Sequence, residues 1–278
     1  MKHEDQNPTD DEERLARQIR VGIGGWSYEP WRQTFYPKDL PQKRELHYAS
    51  RHVSAIEINS TFYRLQTPSV FAKWRDDTPN GFVFSIKAPR YIVQRRTLAS
   101  AREALDRFLS SGIDELGTKL GPILWQLPPQ KTFDREDVER FLRMLPRSIG
   151  AIGLRHALEV RHESFRCEQF VEIARRYGVA TVYTHSHEYP AIADVTGDFV
   201  YARLRESAAS EPTGYAREAL AAWAIRARRW ADGESVLDLP LIAEPVAASK
   251  RDVFVYFING AKERAPAAAM ALLSHLPS

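Results

Sequence analysis

The chain has 278 residues, 44% apolar and 27% charged, which describes a globular protein with ample core. No apolar run approaches the roughly 18 residues that a membrane span needs, and the single cysteine, Cys167, excludes an internal disulfide and a cysteine-rich metal knuckle. The net charge of +3 hides an asymmetry: residues 1–14 hold six acids and two bases, so the other 264 carry +7. A basic body favours anionic partners, although lysines and arginines on solvated helix faces explain it as well.

Residues 1–18 lack apolar periodicity and read as a disordered acidic tail. The polar start reads against a secretory leader, so the expected setting is cytoplasmic. From residue 19 onward the pattern predicts one domain, 19–278. Strand-like runs occur at 20–26 (RVGIGGW), 54–61 (SAIEINST), 82–88 (FVFSIKA) and 122–128 (PILWQLP). Four more follow at 156–162 (HALEVRH), 179–185 (VATVYTH), 199–205 (FVYARLR) and 252–259 (DVFVYFIN). Helical patterns separate them, at 43–51, 68–77, 99–116, 134–145, 164–178, 215–230 and 263–276. Thr67 and Pro68 supply a cap and a first-turn proline, and Gly178 a stop. The link between the sixth and seventh runs is too short and too rich in Pro and Gly for a long helix.

Eight alternations of strand and helix predict an α/β fold, a TIM (β/α)8 barrel. An open doubly wound sheet is the rival. Gly22, Gly24 and Gly25 lack the G-x-G-x-x-G spacing and precede bulky Trp26, so no nucleotide cofactor is expected. Two segments exceed a minimal barrel: the aromatic loop 26–37 and the stretch 231–251.

Strands of a parallel barrel are buried on both faces and should be apolar throughout. Polar residues at alternate positions are therefore informative. Ile56 and Ile58 fit the helix side, which sends Glu57 and Asn59 inward. The same alternation turns Ser85 and Lys87, Gln126, Glu159 and Arg161, Tyr201 and Arg203, and Tyr256 to one face. Five charges then converge: Glu57, Glu159, Lys87, Arg161 and Arg203, with a formal sum of +1. They read either as a self-satisfied ion-pair network or as a pocket at the C-terminal strand ends, where barrel active sites lie. The positive surplus favours a phosphate or carboxylate ligand. Trp26, Tyr28, Trp31, Phe35, Tyr36 and Tyr63 are candidates to roof the pocket or stack on a base or sugar.

The segments GGWSYEPW…FYP, EINSTFYRL, KAPRY, LGPILWQLPP, EVRHESF and YARL resemble the domain of unknown function 72 family, the YecE-like proteins, from about Val21 to the last helix. That resemblance implies a TIM barrel and brings no established activity. Its pattern matches Trp26, Tyr28, Trp31, Glu57, Asn59, Thr61, Tyr63, Lys87, Pro89, Arg90, Gln126, Glu159, Arg161, His162, Tyr201, Arg203 and Tyr256. The chain departs from the pattern at Gln94, at Glu163 and Phe165, at Arg205 and Glu206, at Ile258 and Gly260, and at Ala268. These departures imply an altered pocket near strands seven and eight.

The expected function is an enzyme, a hydrolase or a lyase or isomerase, acting on a phosphorylated or otherwise anionic substrate. A phosphodiester or nucleic acid is one version. Glu57, Lys87 and Glu159 are the candidate catalytic residues. Trp26, Tyr28, Asn59, Tyr63, Arg90, Gln126, Arg161, His162, Tyr201, Arg203 and Tyr256 are the candidate ligand-binding residues. The alternative is a non-catalytic nucleic-acid-binding protein that uses the basic body and the loop 26–36. A divalent metal finds only scattered candidate ligands, Glu57, Glu159, His162 and His185, and the His185–His187 pair reads as exposed loop. No membrane partner is expected, and Cys167 reads as structural.

Overall fold

Eight short runs rich in Val, Ile, Phe and Tyr form the strands β1 (Ile19–Gly24), β2 (Ala55–Ile58), β3 (Val83–Lys87), β4 (Leu120–Gln126), β5 (His156–Glu159), β6 (Ala180–His185), β7 (Phe199–Leu204) and β8 (Asp252–Phe257). Each strand is parallel to its sequence neighbour, and β8 pairs with β1, which closes the barrel. The computed structural model describes residues 14–16 and 18–276. Most of the expected tail lies outside these residues. Of its end, residues 14–16 are helical and Leu15 packs against the core.

The outer layer is α1 (Glu45–Ala49), α2 (Pro68–Asp77), α3 (Arg102–Leu109), α4 (Arg135–Met144), α5 (Glu168–Tyr177), α6 (Arg217–Ala231) and α7 (Ala265–Ser274), with short 3-10 turns between them. Asp134 caps α4 by accepting from the Asp137 amide at 3.0 Å, and Val138, Phe141 and Leu142 form its buried face. Gly178 ends α5 in the left-handed conformation, at φ 64°. Two expectations need correction. The segment 99–116 is not one helix: Gly112, at φ 96°, breaks it, and a 3-10 turn begins at Ile113. Thr67 precedes α2 but leaves its backbone uncapped, because its hydroxyl lies 3.0 Å from that of Ser69.

No helix follows β6 among the described residues. Its place is filled by two non-helical segments, which bring Ile192, Ala193 and Val195 together with Val236 and Leu239 in the core. The Asp194 carboxylate joins them by accepting from the amides of Ile242 (2.8 Å) and Ala243 (2.9 Å). Arg175 donates to the Glu244 carbonyl at 2.9 Å. The stretch 231–251 is thus the sealing layer that β6 otherwise lacks.

Two apolar cores result. One lies between strands and helices and contains Ile56, Ile58, Trp125, Leu158, Ala202 and Val255. The other fills the barrel with Ala55, Leu124, Ala157, Phe199, Tyr201, Phe254 and Tyr256. A side chain at Gly22 would meet the Ala55 carbonyl at 2.2 Å and the Tyr256 ring at 2.9 Å. This glycine serves close packing, which accounts for part of the β1 glycine run without any phosphate.

Candidate functional site

Above the aromatic layer the barrel interior becomes charged. Arg203, on β7, is 2% exposed and reaches two strands at once. Its Nη2 and Nε donate to Glu57 of β2 at 3.0 and 3.1 Å, and its Nη1 donates to Glu159 of β5. Glu57 also accepts from the Tyr201 hydroxyl at 2.8 Å. Glu159 accepts from Gln126 Nε2 at 3.0 Å and from Arg161 Nε at 2.7 Å. One layer lower, the Ser85 and Tyr256 hydroxyls are 2.6 Å apart.

The period-two alternation therefore brings Glu57, Gln126, Glu159, Arg161, Tyr201 and Arg203 into one hydrogen-bonded set. Burial works against the Glu159 charge, but Arg203 and Arg161 outweigh it and hold the carboxyl well below its ordinary range. Burial likewise opposes the Arg203 charge, and Glu159 and Glu57 overcome it. Burial, followed by the Glu57 charge, raises the Tyr201 phenol far above its usual value. Both carboxylates are 0% exposed. Two acids and two arginines balance, so the surplus charge of the inward set belongs to Lys87.

Lys87 ends β3 with its Nζ 4.2 Å from the centre of the Phe62 ring. Among the described residues no hydrogen bond or ion pair engages that nitrogen. Its pKa is lowered to about 8, chiefly by burial and then by the Arg203 charge, with Glu57 and Glu159 opposing the shift. Lys87 lines a cavity of about 520 Å³ at the C-terminal end of the barrel, with Asn59, Tyr63, Gln126, Arg161 and Arg203. Trp31, Phe62, Gln94, Ile258, Asn259 and Lys262 complete much of the wall. The lining holds four cations and no Asp or Glu. A larger cavity of about 860 Å³ lies at the opposite end, beside the starts of β5 to β8, away from this network.

The remaining candidates lie elsewhere. Trp26 packs edge-on against Trp74, at 5.0 Å, and Phe84, on the helix side of the barrel. Tyr28 meets Trp31 at 5.5 Å. Most rings of the loop 26–37 pack against one another or the core. Arg90 is exposed, 5.9 Å above the Tyr63 ring. His162 Nδ1 accepts from the Ser164 amide at 3.2 Å and so caps the turn after β5. Tyr201 and Tyr256 lie beneath the cavity floor, within the inner core. Cys167 is half-buried and precedes α5.

Sequence reasoning missed Lys262, whose Nζ lies 4.4 Å from the Tyr28 ring centre and 5.7 Å from that of Trp31. Its carbonyl accepts from Trp31 Nε1 at 2.9 Å. Burial lowers the pKa of this lysine as well. It lies beyond β8, in a stretch without strand alternation, and barrel closure alone brings it beside the residues after β1.

Among the described residues no group of three or more His, Cys, Asp or Glu side chains could hold a metal ion. His185 Nε2 and His187 Nε2 lie 3.4 and 3.3 Å from one oxygen of Glu206. No helix among the described residues is long and apolar enough to cross a membrane.

The family model "Protein of unknown function DUF72" matches residues 20–278. The UPF0759 protein YunF of Bacillus subtilis (strain 168) is 30% identical over 173 residues, 60% of this chain and 59% of that one. The UPF0759 protein YecE of Escherichia coli (strain K12) is 27% identical over 147 residues, 53% of this chain and 50% of that one. The aligned regions thus span half to three fifths of these relatives. The crystal structure of a DUF72 family protein from Thermotoga maritima MSB8 superposes with a TM-score of 0.71 at 21% identity. That superposition covers 92% of this chain and 98% of the other, and it shows a shared fold. Given the match over nearly its whole length, the chain belongs to the DUF72 family.

Proposed function

We propose that the protein is an enzyme acting on a phosphorylated or similarly anionic small molecule, held in the cavity above β3, β4 and β7. The observation that carries this reading is the charge of the lining: Lys87, Arg161, Arg203 and Lys262 face the cavity with no carboxylate among them. Its size falls in the range of small-molecule sites.

Lys87 is assigned the proton-transferring role. A cation with a pKa near 8 is present in both forms at neutral pH, as a general acid or base requires. Glu57 and Glu159 are assigned a positioning role, because their oxygens are committed to Arg203, Arg161, Gln126 and Tyr201. They fix the Arg203 fork from below and keep it charged, while Arg161 and Lys262 hold the anion from the sides. Proton transfer beside an anionic group is the chemistry of a lyase or isomerase, and we favour that class over hydrolysis.

Calorimetric titration with inorganic phosphate tests the binding half. Lys87→Met should weaken binding at least tenfold, and wild-type affinity should fall as pH rises through 8, because the charged amine is lost. Lys87→Arg should restore binding and, with a substrate in hand, leave turnover abolished. An unchanged phosphate affinity in folded Lys87→Met would sink the assignment.

A further inference from the structure

Just beyond the cavity wall the rim between β6 and β7 holds five buried polar atoms with no protein hydrogen-bond partner. Thr184 Oγ1, His185 Nδ1, Arg205 Nε, Arg205 Nη1 and Glu206 Oε1 are all in this state. They are neighbours: Thr184 is in register with Arg203, and the Arg205 amide donates to the His185 carbonyl at 3.1 Å. Buried donors without acceptors are uncommon in a folded protein and call for a ligand or a role.

Arg205 holds two of these five atoms. Its side chain is 8% exposed, and its nearest carboxylate, Glu188 at 3.5 Å, is 66% exposed. Burial, then the Arg161 charge, lowers its pKa, so the surroundings do not compensate its charge. Instead the guanidinium lies 4.7 Å from the centre of the Tyr189 ring. Arg161 lies over the same ring at 4.4 Å. Arg161 also lines the main cavity, so one arginine is the wall between the two regions. Two guanidinium groups of like charge thus share one neutral ring. A ring face attracts a cation through its quadrupole, but a phosphate or carboxylate offers charge-assisted, bidentate bonds that a ring cannot.

We propose that Arg161 and Arg205 form a second anion subsite beside the main cavity, covered in this structure by Tyr189, for the second anionic group of a doubly anionic ligand. This rests on the reading that the main cavity binds the first such group. The ligand class is a bisphosphate or a phosphorylated carboxylic acid. Binding moves the Tyr189 ring aside, and Arg205 Nε and Nη1 gain the acceptor that they lack. The covering ring belongs to 186–190, a stretch without helix or strand.

Calorimetry with two probes separates the subsite from the main cavity. Wild-type protein should bind pyrophosphate at least tenfold more tightly than inorganic phosphate. Arg205→Met should remove that advantage and leave phosphate affinity within about twofold. Tyr189→Ala, which removes the competing ring and keeps both arginines, should tighten pyrophosphate several-fold. If Arg205→Met leaves pyrophosphate unaffected, or weakens both probes equally, the subsite is overturned. In the first of these cases a loss of phosphate binding in Lys87→Met still supports the main cavity. If that loss is absent while Arg205→Met abolishes the pyrophosphate advantage, the subsite stands and the main-cavity assignment falls. Failure of wild-type protein to bind either probe overturns both.

Discussion

The barrel interior and the β6–β7 rim hold arginines two residues apart, at Arg203 and Arg205, in opposite circumstances. Arg203 has two carboxylates in hydrogen-bonding contact, both fully buried. Arg205 has one solvent-exposed carboxylate at 3.5 Å and two nitrogens without partners. Burial opposes both charges, and only the first environment overcomes it. A charge that the fold satisfies completely is held fixed, as Arg203 is at the cavity floor. A charge that the fold buries and leaves partly unanswered is available to something else.

The sharpest way to break this comparison is to remove each arginine in turn. Arg203→Met leaves buried Glu57 with the Tyr201 hydroxyl but no cation, and Glu159 with Arg161 and Gln126, and should cost about 3–5 kcal/mol of stability, read by urea unfolding. A loss below about 1 kcal/mol would mean that the two acids take up protons at little cost. Next in size is a pH effect at Lys87. Its folded pKa of about 8 lies below the ordinary 10.5, so between those values the unfolded chain holds more protons and stability rises with pH. The gain should approach roughly 3 kcal/mol by pH 10, and the Lys87→Met variant should lack it. A parallel pH profile in both proteins would contradict the lowered pKa.

Arg161→Met removes one charged hydrogen bond to Glu159 and leaves that acid to Arg203 and Gln126. Unfolding should show a loss of about 2 kcal/mol. Arg205→Met is expected to have the smallest effect, within about 1 kcal/mol of wild type, because the lost ring contact is offset by relief of a poorly paired buried charge. A loss as large as that of Arg203→Met would erase the distinction between the two regions.

The barrel and its charged interior were legible because strand alternation is strict. Once Ile56 and Ile58 face the helices, Glu57 has one place to point, and the same logic places Gln126, Glu159 and Arg203. Alternation gives direction but not partners. It turned Glu57, Glu159 and Arg203 inward without revealing that one guanidinium bridges both acids and leaves Lys87 as the surplus charge. Loops carry no period at all. Trp26 and Tyr28 read as pocket roofing, and in the fold their rings pack edge-on against Trp74, Phe84 and Trp31. Lys262 starts a 3-10 turn after β8 and Tyr189 lies in the β6–β7 connection, both outside any strand period. The 99–116 pattern was helical in its apolar spacing, but its helix ends at Leu109 and Gly112 redirects the chain.

The paired segments outside β6 bear on how the chain assembles. A ribosome releases β6 and β7 well before the stretch that covers the outer face of β6. Asp194 meets the amides it holds only when residues 48 and 49 positions downstream emerge. Until then Tyr183 and Ile192 lack part of their apolar cover, so this flank of the nascent barrel stays exposed to aggregation. In a barrel otherwise built from successive strand–helix units, the sixth unit closes out of order.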